Sequence, residues 1–198
     1  MNRVWIAILL VVFALLAYVG LEKLAKKGVE QYAGQKMDDL QAEAAKKYPN
    51  LPLSDAVKKV GEERASAMLS AESNPAQKNL RAAQMFYGYY FLNTKIRVEY
   101  CNTRGADISP FVNRFEANNR AEAARAQAIF AKANTQPEDM LAMIRPALAK
   151  AVEQDMKDVS AGAGVPVDKA CALFNEHAVT LADYIKLPGD VRAALMAE

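Results

Sequence analysis

Cys101 and Cys171 are the residues whose type and position most clearly indicate chemistry in this chain of 198 residues. They are its only cysteines, and each falls on the apolar side of a predicted helix. A disulfide between them would close a loop of about 70 residues and would stabilise the fold by about 4 kcal/mol in the chain-entropy model. We therefore predict a disulfide that joins the two helices. The alternative is a pair of buried free thiols, as expected of a cytoplasmic protein.

A catalytic or metal-binding role would have to involve His177, the single histidine. The sequence contains no G-x-S-x-G elbow, and neither cysteine lies in a CxxC pair or at a zinc-ligand spacing from the histidine. Carboxylates such as Glu138 and Asp155 are spaced as helix caps and solvated helix faces. We predict no catalytic residue, no cofactor and no metal ion. An enzyme would need a cleft that gathers His177 with two polar side chains.

A block of aromatic residues in the middle of the chain is the second feature that could bind a ligand. Buried tyrosines need hydrogen-bond partners for their hydroxyls, and so many aromatic side chains on one helix compete for a single core. Core packing accounts for most of the block, whereas partial exposure would leave a groove for an apolar or ring-shaped ligand. The candidate binding surface consists of Phe86, Tyr87, Tyr89, Tyr90 and Phe91.

Turn signals divide the chain into helices that would position these residues. Asn74 and Pro75 predict the start of a long helix that ends near Cys101. Apolar residues lie nearly all round this helix, so neighbours must cover it on several sides. A second helix is predicted as one element over residues 109–133, beginning at a Ser-Pro pair.

A third long helix carries the clearest apolar stripe. The stripe consists of Leu141, Ile144, Leu148, Val152, Met156 and Val159. Pro146 lies inside this helix and should kink or split it, because proline removes a main-chain hydrogen bond. Alanine is abundant and no stretch alternates with the period of a strand. We therefore predict an all-α fold in which residues 53–198 form a bundle domain of about five or six helices.

Residues 4–21 form an apolar segment that we predict to be a transmembrane signal-anchor helix behind a short leader, residues 1–3. The 17 residues from Val4 to Gly20 carry no charge. A spanning helix needs roughly 17 to 25 residues, whereas the core of a signal peptide has about 7 to 15. Residues 22–52 are predicted to form a helical stalk and linker. The lipid bilayer is therefore an expected partner, through residues 4–21.

The charged residues bear on two questions: whether the protein binds nucleic acid, and on which side of the membrane its body lies. A net charge of +2, without interleaved basic and aromatic residues, argues against nucleic-acid binding. Lys23, Lys26 and Lys27 would keep the body in the cytoplasm under the positive-inside rule. The basic leader and the cysteine pair favour export instead. We predict a single-pass protein of a bacterial inner membrane with a periplasmic body; the alternative is a body on the cytoplasmic face.

These features predict a membrane-anchored helical interaction protein without enzymatic activity. It would be an accessory or scaffold subunit of a larger complex in the bacterial envelope membrane, with a protein partner in that complex. The alternative is an exported soluble binding module for an apolar ligand, released by signal-peptide cleavage, in which the aromatic helix borders the ligand groove.

Overall fold

The computed structural model of the protein describes residues 26–197, and every regular element in this range is helical. The predicted all-α class is therefore confirmed for the described residues. The predicted leader, 1–3, and the predicted anchor, 4–21, lie outside them. Among the helices of the described range, none combines the length and the apolar character that a membrane span requires.

Short connections join the helices. In chain order they are α1 (Lys26–Lys47), α2 (Leu53–Ala71), α3 (Pro75–Phe91), a π-helical turn (Leu92–Ile96), α4 (Arg97–Asn102), α5 (Ser109–Asn118), α6 (Arg120–Ala133), α7 (Pro137–Ala163), α8 (Val167–Glu176), α9 (Ala178–Tyr184) and α10 (Gly189–Met196). The described part of the predicted bundle thus contains nine α-helical segments, α2 to α10, instead of the five or six helices that we expected.

The centre of the fold is one unbroken helix from Pro75 to Asn102, as predicted, made of α3, the π-helical turn and α4. Asn74 caps its first turn, because the side-chain oxygen accepts a hydrogen bond from the main-chain N–H of Gln77 at 3.2 Å. Proline occupies the next position, where its missing N–H has no consequence. The π-helical turn adds one residue to a turn and so changes which side of the helix faces the core.

Neighbouring helices cover this central helix on several sides, as its apolar character requires. α6 and α10 pack against α3, α7 packs along the π-helical turn and α4, and α5 contacts the π-helical turn. α9 packs on α5, and α8 packs on α7. The predicted stripe of α7 is confirmed, since its residues are buried in the main core except Val159, which is partly buried. Pro146 lies within α7 without splitting it.

One of the additional breaks lies in the helix predicted over residues 109–133. The structure divides this helix at Asn119, whose φ of −109° and ψ of 15° are not helical. Asn119 is buried, and its side-chain amide donates to the carbonyl oxygen of Phe115 at 2.8 Å. The neighbouring Asn118 donates to the carbonyl oxygen of Ala182 at 3.2 Å. The prediction of a continuous helix is therefore wrong, and side-chain contacts across the bundle accompany the break.

α1 and α2 form a hairpin with a small core of its own. Its buried residues are Leu40, Ala44, Ala56, Val57 and Val60. α1 also packs against α7, and Met37 of α1 belongs to the main core. From Met37 to Lys47, the predicted stalk, 22–52, is therefore a helix held against the bundle. Its role as the connection to a membrane stays a prediction.

Candidate functional site

Cys101 and Cys171 form the predicted disulfide, with Sγ atoms 2.11 Å apart and Cα atoms 5.5 Å apart. Both residues are fully buried. The bond joins the last turn of α4 to the middle of α8, so these two helices cannot separate while the cysteines are oxidised. The interior at this end of the molecule is therefore held covalently as well as by packing.

A buried ion pair lies one helical turn away from Cys101. Arg97, four residues before Cys101, has no exposed surface, and its Nη1 donates to Oδ2 of Asp155 in α7 at 2.5 Å. The guanidinium carbon lies 4.6 Å from the ring centroid of Phe174, which follows Cys171 in α8. An aromatic ring thus covers a cation that a carboxylate neutralises. We call Arg97, Asp155 and Phe174 the polar centre.

The polar centre corrects the expectation that Asp155 belongs to a solvated helix face. Burial raises the pKa of Asp155 to about 6, although the Arg97 guanidinium opposes this rise; Asp158 adds to it. Oδ1 of Asp155 and the Nε and Nη2 atoms of Arg97 have no hydrogen-bond partner among the described residues. Such a pair contributes little net stability, yet loss of one member would leave an uncompensated buried charge.

A signal in the sequence could have revealed this pair. Arg97 lies four residues before Cys101, and Asp155 lies three residues after Val152 in the apolar stripe of α7. Residues three or four apart share a helix face, so each charged residue lies on the same face as a residue predicted to be buried. Two opposite charges in such positions on different helices indicate a buried ion pair.

The structure divides the aromatic block of α3 into core residues and surface residues. Phe86 and Tyr89 have no exposed surface, and the Tyr89 hydroxyl donates to the main-chain carbonyl oxygen of Ile185 at 2.9 Å. The partly exposed residues are Tyr87, Tyr90 and Phe91. Of the five residues predicted as a binding surface, only these last three can contact a molecule outside the bundle.

Tyr87 reaches the start of α7. Its ring meets Phe130 of α6 edge to face, with centroids 5.4 Å apart and planes at 83°. Its hydroxyl donates to Oε1 of Glu138, in the first turn of α7, at 3.2 Å. Burial, followed by the nearby Glu138 carboxylate, raises the pKa of Tyr87. The phenol therefore remains protonated at physiological pH and serves as a hydrogen-bond donor.

Tyr90 follows three residues later on the same side of α3 and reaches α5. Its ring centroid lies 6.1 Å from that of Phe115, and its hydroxyl donates to Oε1 of Glu116 at 3.2 Å. Burial, together with the Glu116 carboxylate, raises the pKa of Tyr90 to about 12. This phenol is also neutral at physiological pH, so it is unsuited to act as a general base.

We call Tyr87, Tyr90, Glu116 and Glu138 the tyrosine face. α3 supplies its rings, and α5 and α7 supply its carboxylates. Among the described side chains, no lysine or arginine forms an ion pair with either carboxylate. The face is therefore both aromatic and negatively charged, which suits the recognition of a polar or cationic group.

A second surface feature is a cleft of about 540 Å³ at the junction of α5, α6, α9 and α10. Arg192 Nε donates to Oε1 of Glu122 at 2.7 Å. Arg114 binds both carboxylate oxygens of Asp183, at 2.8 and 3.0 Å. These contacts tie α6 to α10 and α5 to α9, and each arginine neutralises the carboxylate that it contacts. These two ion pairs therefore help to hold the helix junction together.

His177 is exposed between α8 and α9 and does not line this cleft. The cleft thus does not supply the arrangement that an enzyme using His177 would require. Across the described residues, no group of three or more histidine, cysteine, aspartate or glutamate side chains is placed to hold a metal ion.

Comparison of the chain with family models, with curated proteins and with solved structures finds no significant match.

Proposed function

We propose that this protein is a membrane-anchored helical interaction protein without enzymatic activity. It serves as an accessory or scaffold subunit of a larger complex in a bacterial envelope membrane, with its body in the periplasm. The observation that carries this proposal is the tyrosine face, which offers partly exposed aromatic rings and charged groups on one side of a braced bundle. Tyrosine is one of the residues that contribute most to protein interfaces.

The disulfide supports the proposed compartment. Bonds of this kind persist in oxidising environments such as the periplasm and are rare in the cytosol. Cys101 and Cys171 are both buried, so the bond braces the interior and leaves no free thiol for catalysis. The uncharged segment from Val4 to Gly20 supports the anchor, because its length matches the lower end of the range for a spanning helix.

Native electrophoresis of the full-length protein tests the proposal. Membranes from cells that express it at its natural level are solubilised in mild detergent, and the size of the protein's complex is measured. We expect the protein in an assembly much larger than its own 21.7 kDa. The double variant Tyr87→Ala/Tyr90→Ala should leave that assembly, because it removes both rings of the tyrosine face while the disulfide and the polar centre stay in place.

The matched control is Tyr184→Ala, which removes a tyrosine that is 40% exposed on α9. It should leave the assembly intact. Thermal melting of each variant shows whether the bundle is still folded. A wild-type protein that migrates alone, or a folded double variant that remains in the assembly, would contradict the proposal.

The alternative function, an exported soluble module released by signal cleavage, predicts a different mature chain. Sequencing the mature N-terminus separates the two functions, since an anchored subunit keeps residues 4–21 and a released module loses them. Thiol labelling in intact cells and in denatured lysate tests the compartment. Cysteines that react only after reduction would support a periplasmic body, whereas cysteines that react on denaturation alone would assign it to the cytoplasm.

A further inference from the structure

The two carboxylates of the tyrosine face keep binding capacity that the bundle does not use. Glu116 and Glu138 each accept a tyrosine hydroxyl through Oε1 at 3.2 Å. Neither carboxylate has an ion-pair partner among the described side chains, and both residues are exposed. Each therefore retains its negative charge and a second oxygen that can accept further hydrogen bonds.

The helix dipole favours a negative charge at the position of Glu138 but not at the position of Glu116. Glu138 lies in the first turn of α7, where the partial positive charge of the helix N-terminus favours an acid. Glu116 lies in the last turn of α5, which ends at Asn118 and where the partial negative charge opposes an acid. Glu116 is thus unfavourable for its own helix, so its charge calls for another explanation.

Aromatic rings beside carboxylates are suited to bind a guanidinium or ammonium group. A guanidinium can lie flat on a tyrosine ring while its N–H groups donate to a carboxylate, and arginine does this better than lysine. The protein contains one contact between a guanidinium and a tyrosine ring of its own, since the Arg104 guanidinium carbon lies 3.6 Å from the ring centroid of Tyr100. Tyr87 and Tyr90 offer partly exposed rings next to unpaired carboxylates, and no cation of the described side chains pairs with those carboxylates.

We infer that the tyrosine face docks a basic segment of the partner protein, with at least one arginine against the rings of Tyr87 and Tyr90 and the carboxylates of Glu116 and Glu138. This inference rests on the proposed function, since it names the chemistry of the partner segment. The partner is selected by charge: an acidic or purely apolar segment would leave both carboxylates unpaired at the interface, which is unfavourable.

Photo-crosslinking in the full-length protein tests the inference. Phe91 is partly exposed and lies four residues from Tyr87, so it shares the side of α3 that carries the tyrosine face. Replacing Phe91 by p-benzoylphenylalanine keeps an aromatic side chain and leaves all four residues of the face unchanged. Irradiated cells are lysed, and mass spectrometry identifies the crosslinked segment. We expect that segment to contain arginine, with lysine or further arginine nearby.

The charge dependence is measured in the same crosslinking background. Glu116→Gln/Glu138→Gln removes both charges but keeps an oxygen that can accept from each tyrosine, so the fold is preserved. The crosslink yield should fall about tenfold or more in this variant. It should also fall in isolated membranes when the salt concentration rises from about 0.1 to about 0.5 M, because salt screens exposed charges over about 10 Å or less.

The matched control is Glu62→Gln/Glu176→Gln, which makes the same change of charge at a partly exposed glutamate of α2 and an exposed glutamate of α8. Its crosslink yield should equal that of the wild type. A crosslinked segment without basic residues, an adduct to lipid or to a second copy of the chain, or a yield that Glu116→Gln/Glu138→Gln leaves unchanged would overturn the inference.

Native electrophoresis separates failure of this inference from failure of the proposed function. If the wild-type assembly persists and still loses the Tyr87→Ala/Tyr90→Ala variant while no crosslink forms at position 91, the proposed function stands and only the docking of a basic segment fails. If the wild-type protein migrates alone, the proposed function fails, and the docking inference fails with it.

Discussion

Two arginine–aspartate pairs place the same chemical groups in opposite environments. Arg97 and Asp155 meet at 2.5 Å in the polar centre, where their side chains are 0% and 8% exposed. Arg114 and Asp183 meet at 2.8 Å at the surface, where their side chains are 45% and 43% exposed. Hydrogen bonding is more complete in the exposed pair than in the buried pair. Arg114 and Asp183 make two parallel hydrogen bonds, whereas three polar atoms of Arg97 and Asp155 have no partner among the described residues.

The pKa values of the two aspartates shift in opposite directions, although the neighbouring arginine lowers the pKa in both cases. Burial raises the pKa of Asp155 to about 6, because removal from water disfavours its charge more than Arg97 favours it. The hydrogen bond from Arg114, followed by that from Asn118, lowers the pKa of Asp183 below its usual range. Desolvation therefore outweighs a charged partner in the interior, whereas the partner prevails where water remains.

The largest expected effect comes from breaking the buried pair. Arg97→Met keeps the volume of the side chain but leaves Asp155 buried without a cation. We expect the free energy of unfolding to fall by about 3 to 5 kcal/mol near neutral pH. Urea unfolding followed by circular dichroism measures this change in the oxidised protein.

Arg114→Met is the matched change at the surface pair. Its effect should be far smaller and should diminish further as salt is added, since water and salt screen the exposed charges. Equal losses from both variants would show that burial does not distinguish the two pairs.

The second-largest expected loss of stability comes from removing the disulfide, which links the helices that carry Arg97 and Phe174 of the polar centre. Replacing Cys101 and Cys171 together by alanine removes the bond without leaving a free thiol. We expect the free energy of unfolding to fall by about 2 to 4 kcal/mol, because the unfolded chain regains the freedom of a loop of about 70 residues. Urea unfolding of the oxidised wild type and the double variant measures it.

Reduced wild-type protein provides the control, and it should unfold at nearly the same urea concentration as the double variant. The combination with Arg97→Met should be less harmful than the sum of the separate losses, because Phe174 of the disulfide-linked α8 covers Arg97. An oxidised double variant as stable as the wild type would contradict the stabilising role of the bond.

The smallest expected effect is a pH dependence of opposite sign at the two aspartates. The pKa of Asp155 is higher in the folded state than in the unfolded chain, so its contribution to stability is complete below about pH 4 and is lost as pH rises through about 6. The loss amounts to at most about 3 kcal/mol. Asp183 has a lowered pKa, so its contribution is present above the unfolded pKa and is lost as pH falls.

Carbon NMR of the side-chain carboxyl groups in folded protein measures both titrations. Asp155→Asn and Asp183→Asn assign the two signals, and urea unfolding at several pH values between about 2 and 7 tests both linked stabilities, that of Asp183 below about pH 4 and that of Asp155 above it. An Asp155 signal that titrates below about pH 4 would show that Arg97 outweighs desolvation after all.

The sequence predicted what depends on neighbours along the chain. Asn74 and Pro75 start the central helix where expected, since capping and proline geometry act within one turn. The apolar stripe of α7 is buried, because a period of three and four residues defines one helix face whatever packs against it. The pairing of Cys101 with Cys171 followed from two cysteines on apolar faces and no third cysteine to compete.

The tertiary structure alone decided which faces meet. It placed Phe86 and Tyr89 in the core and left Tyr87 partly exposed, although all three belong to one aromatic block. It broke a helix at Asn119, and it buried Asp155 opposite Arg97 on a helix far along the chain. Helix formation is local, so the sequence reveals it, whereas burial depends on contacts between residues distant in sequence, and only the folded chain brings these together.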